Sequence, residues 1–386
     1  MEHKTYDAVV VGGGIAGVAV AAELARHGRV LVLEREASLA YHTTGRSAAI
    51  SMESYGNAII RELTCASRSF FEAPPPECGQ EPMTSPRGAL IIGDQVHAAK
   101  LLARFQTVRQ QVPTACWLDR HAVAKMAPFL GDQWTAGIHE PSALDLDVHA
   151  IHTGFVRMLK AQGGAVRTNA EVVSGHRTGL AWTLQLADGD RLSAGLVVNA
   201  AGAWADTLAE RCNATPLGLR PLLRTVVVVD AQSDVRHCPY IGTVDEQLFI
   251  KPELGLLMVS PCDETPSEPC DALPDELGVA TAMHRLERAT TLRPQRVLNR
   301  WAGLRVFAPD RSPVIGTDPS AEGFVWCAAL GGYGIQTAPA VARLCASLAT
   351  CNGVPSDLAS VPAQALAPAR LLGAAQGPIV EVDDLK

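Results

Sequence analysis

The first apolar positions fall in two short runs, Ala8-Val9-Val10-Val11 and Val30-Leu31-Val32-Leu33, separated by a segment rich in alanine and valine. The runs read as strands and the segment between them as a helix. A glycine turn, Gly12-Gly13-Gly14-Ile15-Ala16-Gly17, joins the first strand to the helix, and the second strand ends in Glu34-Arg35. This is the order of a mononucleotide-binding βαβ unit. Gly12 permits the tight turn, Gly14 lets the backbone approach a pyrophosphate, and Gly17 lets the helix pack closely on the strand. The free N–H groups of the helix N-terminus, at Ile15 and Ala16, favour an anion, and Glu34 is placed to accept hydrogen bonds from ribose hydroxyls.

Beyond Glu34 the pattern stops alternating regularly between strand and helix, as a complete nicotinamide-binding domain would. A polar loop, Tyr41 to Ser47, comes first. Strand-like segments follow at Gly88 to Ile92, Ala181 to Leu186 with the Asp188-Gly189 turn, Thr225 to Val229, Leu248 to Lys251 and Leu256 to Ser260. These imply a second sheet, separate from the nucleotide sheet. The spacing of Leu146, Ile151, Phe155 and Leu159 predicts a helix over 145–162 that covers the nucleotide sheet. Two segments return to that sheet: Gly195 to Asn199, ending in Asn199-Ala200-Ala201-Gly202-Ala203-Trp204, and Gly323 to Ala329. After the latter, Gly331-Gly332-Tyr333-Gly334-Ile335-Gln336-Thr337 leads into a helix-forming run from Ala340 to Ala349, a second anion-friendly turn. Pro74-Pro75-Pro76 and Pro261 to Pro274 read as surface loops, and the tail from Ala363 as loosely packed.

Composition narrows the function classes. The 386 residues are 47% hydrophobic and 19% charged, an ordinary globular balance, and the net charge of −7 without a dense basic block argues against nucleic acid or an anionic membrane as partner. The N-terminal apolar stretch lacks a signal peptide's positive flank, since Glu2 and Asp7 stand there, so a cytoplasmic location is expected, with membrane contact at most peripheral. Ten scattered cysteines without a C-x-x-C pair or a histidine at ligand spacing are expected to be free thiols, and no metal site is expected.

Four segments carry a resemblance: Tyr41-His42-Thr43-Thr44-Gly45-Arg46-Ser47-Ala48-Ala49, Asn199 to Trp204, Trp301-Ala302-Gly303-Leu304-Arg305, and Gly331 to Thr337. Over nearly its whole length the chain resembles the FAD-dependent D-amino-acid oxidase superfamily, and within it most resembles the bacterial D-arginine dehydrogenases. The resemblance implies an α/β fold with a Rossmann-like FAD-binding domain at 1–45, 145–215 and 300–386. A mixed or antiparallel-sheet substrate domain would occupy 46–144 and 216–299. FAD would bind non-covalently. Gly12, Gly14, Ile15, Ala16, Gly17, Glu34 and Arg35 would hold its ADP half, with Val173, Ala201 and Gly202 beside them. Thr44, Gly45, Arg46, Ser47 and Ala48 would hold the flavin side, together with Gly331, Gly332, Tyr333, Gly334, Ile335, Gln336 and Thr337. His42 is expected to hold its loop.

The same resemblance implies that Arg305 pairs with a substrate carboxylate and that Arg224 is a second substrate-side arginine, with Tyr55 and Tyr333 approaching the substrate. A guanidinium presents a planar fork that grips and orients a carboxylate. The chain departs from the D-arginine pattern at Ile50, where the family has histidine, at Met52 for threonine, at Ala89 for the glutamate that receives the guanidinium, and at Phe249 for tyrosine. Every departure is apolar, and an unpartnered cation in such surroundings costs several kcal/mol. A neutral, largely apolar side chain is therefore expected, on a substrate also contacted by Gly332. The implied reaction is oxidative deamination of an amino acid, of D configuration, by hydride transfer from Cα to flavin N5. The resulting imino acid hydrolyses to a 2-oxo acid and ammonia, and a quinone or O2 reoxidises the flavin. Two alternatives stay open: oxidation of a 2-hydroxy acid or a cyclic or secondary amine, and a non-catalytic flavin-binding assembly or sensor protein.

Overall fold

A computed structural model describes residues 5–372. The expected βαβ unit is present. Strands Thr5–Val11 and Val30–Leu33 are parallel neighbours, with Val10 opposite Val32, and helix Ile15–Leu24 connects them in sequence. That helix is nearly all apolar because it is enclosed, packing against helices Val148–Ala161 and Gly334–Ala349 as well as the sheet. Its small side chains let three helices approach closely.

Five strands form the parallel heart of an eight-stranded sheet, namely Ala165–Arg167, Val30–Leu33, Thr5–Val11, Arg191–Asn199 and Phe324–Ala328. The expectation that Ala181 to Leu186 belongs to the second sheet is corrected. Strand Ala181–Leu186 pairs antiparallel with Arg191–Asn199 in the nucleotide sheet, with Gln185 opposite Arg191. The short turn at Asp188-Gly189 allows no excursion elsewhere, so the strand joins the sheet of its hairpin partner. The helix expected over 145–162 is observed at Val148–Ala161, capped by the Asp147 carboxylate on the Ala150 N–H and burying Ile151, Phe155 and Leu159.

A nine-stranded mixed sheet lies beside the first, and it includes Ala89–Asp94, Tyr240–Thr243, Phe249–Glu253 and Leu256–Ser260. Within it, Arg220–Val229 pairs with Val297–Phe307 along nearly its whole length. Arg224 is opposite Gly303 and Leu222 opposite Arg305, so the two arginines sit diagonally on one face of adjacent strands. A small third sheet of Ile50–Ser51, Leu144–Leu146 and Thr84–Pro86 carries Ile50.

The tail is less loose than expected as far as it is described. Leu366 is fully buried and its carbonyl accepts from the Ile315 N–H, while residues 373–386 lie outside the described part. Among the described residues no helix is long and apolar enough to cross a membrane.

Candidate active site

Two adjoining cavities run along the C-terminal ends of the parallel strands, the place where open α/β sheets bind ligands. They share Gly14, Thr43, Thr44, Ala200 and Gly202. At their junction stands the N-terminus of helix Ile15–Leu24, where the N–H of Ile15, expected to be free for an anion, is instead taken by a side chain from the polar loop. Thr44 Oγ1 accepts the Ile15 N–H at 3.0 Å, tying the polar loop to the glycine turn. A Cβ on Gly12 would fall 2.2 Å from the Ala200 carbonyl oxygen and one on Gly17 1.9 Å from the Gly12 oxygen, so these glycines let backbone segments touch. Gly14 differs: its nearest obstacle would be the Thr44 hydroxyl at 3.1 Å, and the open space beside it belongs to the cleft.

The smaller cavity holds the acidic end. Both Glu34 oxygens accept backbone N–H groups, from Gly13 at 2.8 Å and Glu36 at 2.9 Å, which fixes the carboxylate at the cavity wall. Each oxygen keeps a further acceptor site for a hydroxyl. Arg35 and Ala201 line the same cavity, as does Trp204, which sequence reasoning missed. The Arg35 guanidinium lies 4.7 Å over the Trp204 ring, and His42 packs on the same ring at 4.7 Å between ring centroids. His42 also bonds Glu36 at 3.0 Å, so it braces its loop as expected. Asn199, buried, donates to the Ala205 carbonyl and sets the turn that carries Ala201 to Trp204.

The larger cavity is lined by Ile15, Ala16, Arg46, Ser47, Ala48 and the run Gly331 to Gln336. Helix Gly334–Ala349 opens here, its N-cap residue Tyr333 making no side-chain cap bond, so two helix N-termini face one continuous cleft. A long dinucleotide with a pyrophosphate near one terminus and an electron-rich ring near the other suits this cradle. The 41–48 loop is clamped to strand Val297–Phe307: Thr43 Oγ1 donates to the Leu304 carbonyl at 2.6 Å, Trp301 Nε1 to the Arg46 carbonyl at 2.9 Å, and Arg46 Nη1 to the Ala302 carbonyl at 3.0 Å. Arg46 also pairs with Asp271, so its guanidinium is spent on the protein and serves as a strut.

Some expected positions lie outside the cleft. Gly17 and Gly45 do not line it, and Thr337 is buried with its hydroxyl on the Tyr333 carbonyl. Val173 is 39% exposed, and its neighbour Val172 faces the smaller cavity instead, because successive strand residues point to opposite faces. Ala89 is fully buried, and Ile91, two residues along the same strand, takes its place in the wall. Gln336 turns its side chain away, donating to Thr64 Oγ1 and accepting the Met52 N–H.

At the far end of the larger cavity, Ile50, Met52, Ile91, Tyr240 and Phe249 form an apolar wall, and Tyr55 and Tyr333 meet edge to face at 4.8 Å between centroids. Burial pushes the Tyr333 phenol well above its ordinary range, with Tyr55 adding to the rise, so it stays a neutral hydrogen-bond donor. Arg305 and Arg224 both line this end, together with Arg104, Arg311, Glu246 and Glu264, which the sequence reading did not single out. The stretch from Pro261 is not merely a surface loop: Pro261 is buried, and Cys262 and Glu264 face the cavity. The Arg224 Nε and Nη2 donate to the Asp263 and Cys262 carbonyls at 3.0 and 3.3 Å and hold this loop in place. Glu264 accepts from Arg305 Nη2 at 2.5 Å and from Arg311 at 2.8 and 3.1 Å. Burial alone would raise the Glu264 carboxyl, but the hydrogen bond from Arg311 and the charges of Arg305, Arg311 and Arg224 outweigh it and hold the group below its usual value.

Beneath the glycine turn, buried His152 places Nε2 3.0 Å from the Gly13 carbonyl oxygen, and burial lowers its pKa. Neutral imidazole donates there. In the unfolded chain the ring takes its proton near pH 6.5, before the folded one does, so stability falls as pH drops through and below that value. His152→Gln is expected to flatten this acid-side loss, measured as the difference in chemical denaturation between pH 7.5 and 5.5. The difference from the parent isolates His152, because burial shifts His139 in the same direction in both proteins.

The chain matches the family described as FAD dependent oxidoreductase over residues 7–348. Glycine oxidase of Bacillus subtilis is 25% identical over 382 residues, covering 92% of this chain and 95% of that protein. FAD-dependent oxidoreductase domain-containing protein 1 of Bos taurus is 24% identical over 399 residues, covering 89% and 80%. Mitochondrial dimethylglycine dehydrogenase of Rattus norvegicus is 21% identical, and this chain spans only 44% of its length. The fold superposes on L-proline dehydrogenase from P. horikoshii with a TM-score of 0.84 at 20% identity, covering 96% of this chain and 99% of that one. The glycine turn, the two helix N-termini on one cleft and the match along most of the sequence agree, and the chain belongs to the DAO family of FAD-dependent oxidoreductases.

Proposed function

We propose that this enzyme oxidises the C–N bond of a small amino acid with a neutral, mainly apolar side chain, giving an imino acid that hydrolyses to a 2-oxo acid and ammonia. The observation that carries the reading is the placement of Arg305 and Arg224 on one face of adjacent strands, at the cavity end where Tyr55, Tyr333 and an apolar wall meet. Bound FAD supplies the hydride acceptor. Gly12, Gly14, Glu34 and the two helix N-termini hold it, within the division of the chain into a nucleotide part and a substrate part set out above. Arg305 grips the substrate carboxylate and orients Cα, while Arg224 adds charge and keeps the 262–264 loop seated. The neutral Tyr333 hydroxyl is a donor toward substrate, and the ammonium proton leaves to water before the C–H bond breaks. Ile50, Met52 and Phe249 receive the side chain, each buried methylene contributing about 0.8 kcal/mol.

The likeness to D-arginine dehydrogenases in the 41–49 and 331–337 segments supports an amino-acid substrate and the D configuration. The apolar wall disfavours arginine itself, and Glu246, an acid lining the same cavity, is already beside Arg104 at 3.9 Å. A quinone or O2 takes the electrons onward, in the cytoplasm. Anaerobic mixing of the yellow protein with D- and L-amino acids, cyclic amines and 2-hydroxy acids tests the reading through flavin absorbance. Bleaching by neutral D-amino acids and not by D-arginine is the expected result. Bleaching by hydroxy acids or cyclic amines alone moves the activity to those classes, and none across the panel points to a non-catalytic flavoprotein.

A further inference from the structure

The proposed oxidation leaves Glu264 without a task, and its position works against an anionic substrate. Its Oε1 lies 2.5 Å from Arg305 Nη2 and 3.6 Å from Arg224 Nη2, between the two guanidiniums that face the substrate end. A carboxylate already occupies the place where a substrate carboxylate would bind. Arg305 meanwhile keeps a donor in reserve, for its buried Nε has no partner among the described residues.

The backbone around Glu264 is fixed on both sides. Asp263 accepts the Thr225 N–H and hydroxyl, each at 2.7 Å, and Thr265 pairs with Leu223 in the sheet. With the backbone fixed, any change at Glu264 is confined to its side chain, which Arg311 already holds by both oxygens. Its Oε2 accepts from Arg311 Nη1 at 3.1 Å and Oε1 from Arg311 Nη2 at 2.8 Å. The Arg311 side chain is 33% exposed against 10% for Arg305, so Arg311 marks the outward end of the pair.

We propose that Glu264 is a tethered carboxylate that bridges Arg305 and Arg311 while the site is free of substrate and stays on Arg311 alone when the substrate carboxylate takes Arg305. Its function is to keep the buried Arg305 charge paired in both states and to set the affinity of the carboxylate subsite. The exchange swaps one carboxylate for another at Arg305, so binding gains less than it would at an unpaired guanidinium. This rests on the assignment of Arg305 to the substrate carboxylate.

The test titrates FAD-loaded enzyme with benzoate, and with uncharged benzamide as control, through the perturbation of flavin absorbance. Glu264→Gln keeps the shape and removes the competing charge, and it is expected to bind benzoate about tenfold more tightly with benzamide unchanged. Arg311→Met removes the partner that holds Glu264 once Arg305 is released, and it is expected to bind benzoate severalfold more weakly. Opposite signs from two neighbouring substitutions are not produced by structural damage. Equal or weaker benzoate binding in Glu264→Gln overturns the tether, as does absence of benzoate binding in both that variant and the parent. Arg305→Met separates the two ideas: if it binds benzoate as the parent does, the Arg305 assignment fails first.

Discussion

Arg305→Met is expected to lower kcat/KM for the amino-acid substrate by about 10²- to 10⁴-fold, with FAD content unchanged. The magnitude follows from stripping one partner from a buried, hydrogen-bonded charge pair, which costs about 3–5 kcal/mol, at 1.36 kcal/mol for each factor of ten. Arg305 is 8% exposed and its guanidinium packs 5.2 Å over the Phe307 ring, so water does not replace the lost donors. Methionine preserves much of the side-chain volume, and Gly332, where a Cβ would come within 2.8 Å of Arg305 Nη1, leaves room for it. Steady-state kinetics with the best substrate of the anaerobic panel provides the measurement. Arg305→Lys keeps the charge and loses the fork, and it is expected to fall between the two. An Arg305→Met enzyme with parental kcat/KM would remove Arg305 from the substrate site.

Gly14→Val is expected to yield a folded protein that purifies colourless. A side chain at Gly14 meets little of the protein, the Thr44 hydroxyl at 3.1 Å being its nearest neighbour, and the backbone there is extended at φ −76°. The added carbons instead project into the cleft beside the helix N-terminus. Overpacking costs about 1–3 kcal/mol even where neighbours relax, and with a rigid pyrophosphate in the way the loss of FAD affinity is expected to reach about 100-fold. Far-ultraviolet circular dichroism reports the fold and visible absorbance the cofactor. Gly17→Val is the contrast, since its Cβ would lie 1.9 Å from the Gly12 carbonyl oxygen, and loss of the fold itself is expected. If Gly14→Val retains parental flavin, the cofactor does not pass this turn.

Much of the nucleotide half could be read from residues close together in the chain. The strand runs, the glycine turn and Glu34 lie within some thirty residues, and each is set by local sterics and the burial of one enclosed helix, so the pattern already contains the geometry. The same holds for the second glycine turn, where Gly331 to Gln336 do line the cleft. Where one residue of register mattered, local reasoning slipped: Val172 faces the cavity in place of Val173. Strand faces alternate with every residue, and nothing local to that segment specifies which face turns inward. At Ala89 the face was right and the depth was not: Ala89 is fully buried, and Ile91, two residues along on the same face, lines the wall.

The arginine-bearing end of the larger cavity was decided by tertiary structure. Arg305 and Arg224 meet because Val297–Phe307 and Arg220–Val229, some eighty residues apart in the chain, pair in one register. Glu264 and Arg311 carry no motif, and the proline-rich stretch around Glu264 resembles any surface loop, yet Asp263 on Thr225 folds it inward. Ala181–Leu186 joined the nucleotide sheet through its hairpin partner rather than through its own pattern. Sequence alone determined the glycine turns and the helix termini that they open, because backbone sterics and helix termini are local physics. The charge arrangement at the far end of the larger cavity depends on which distant strands pair, and only the folded chain decides that.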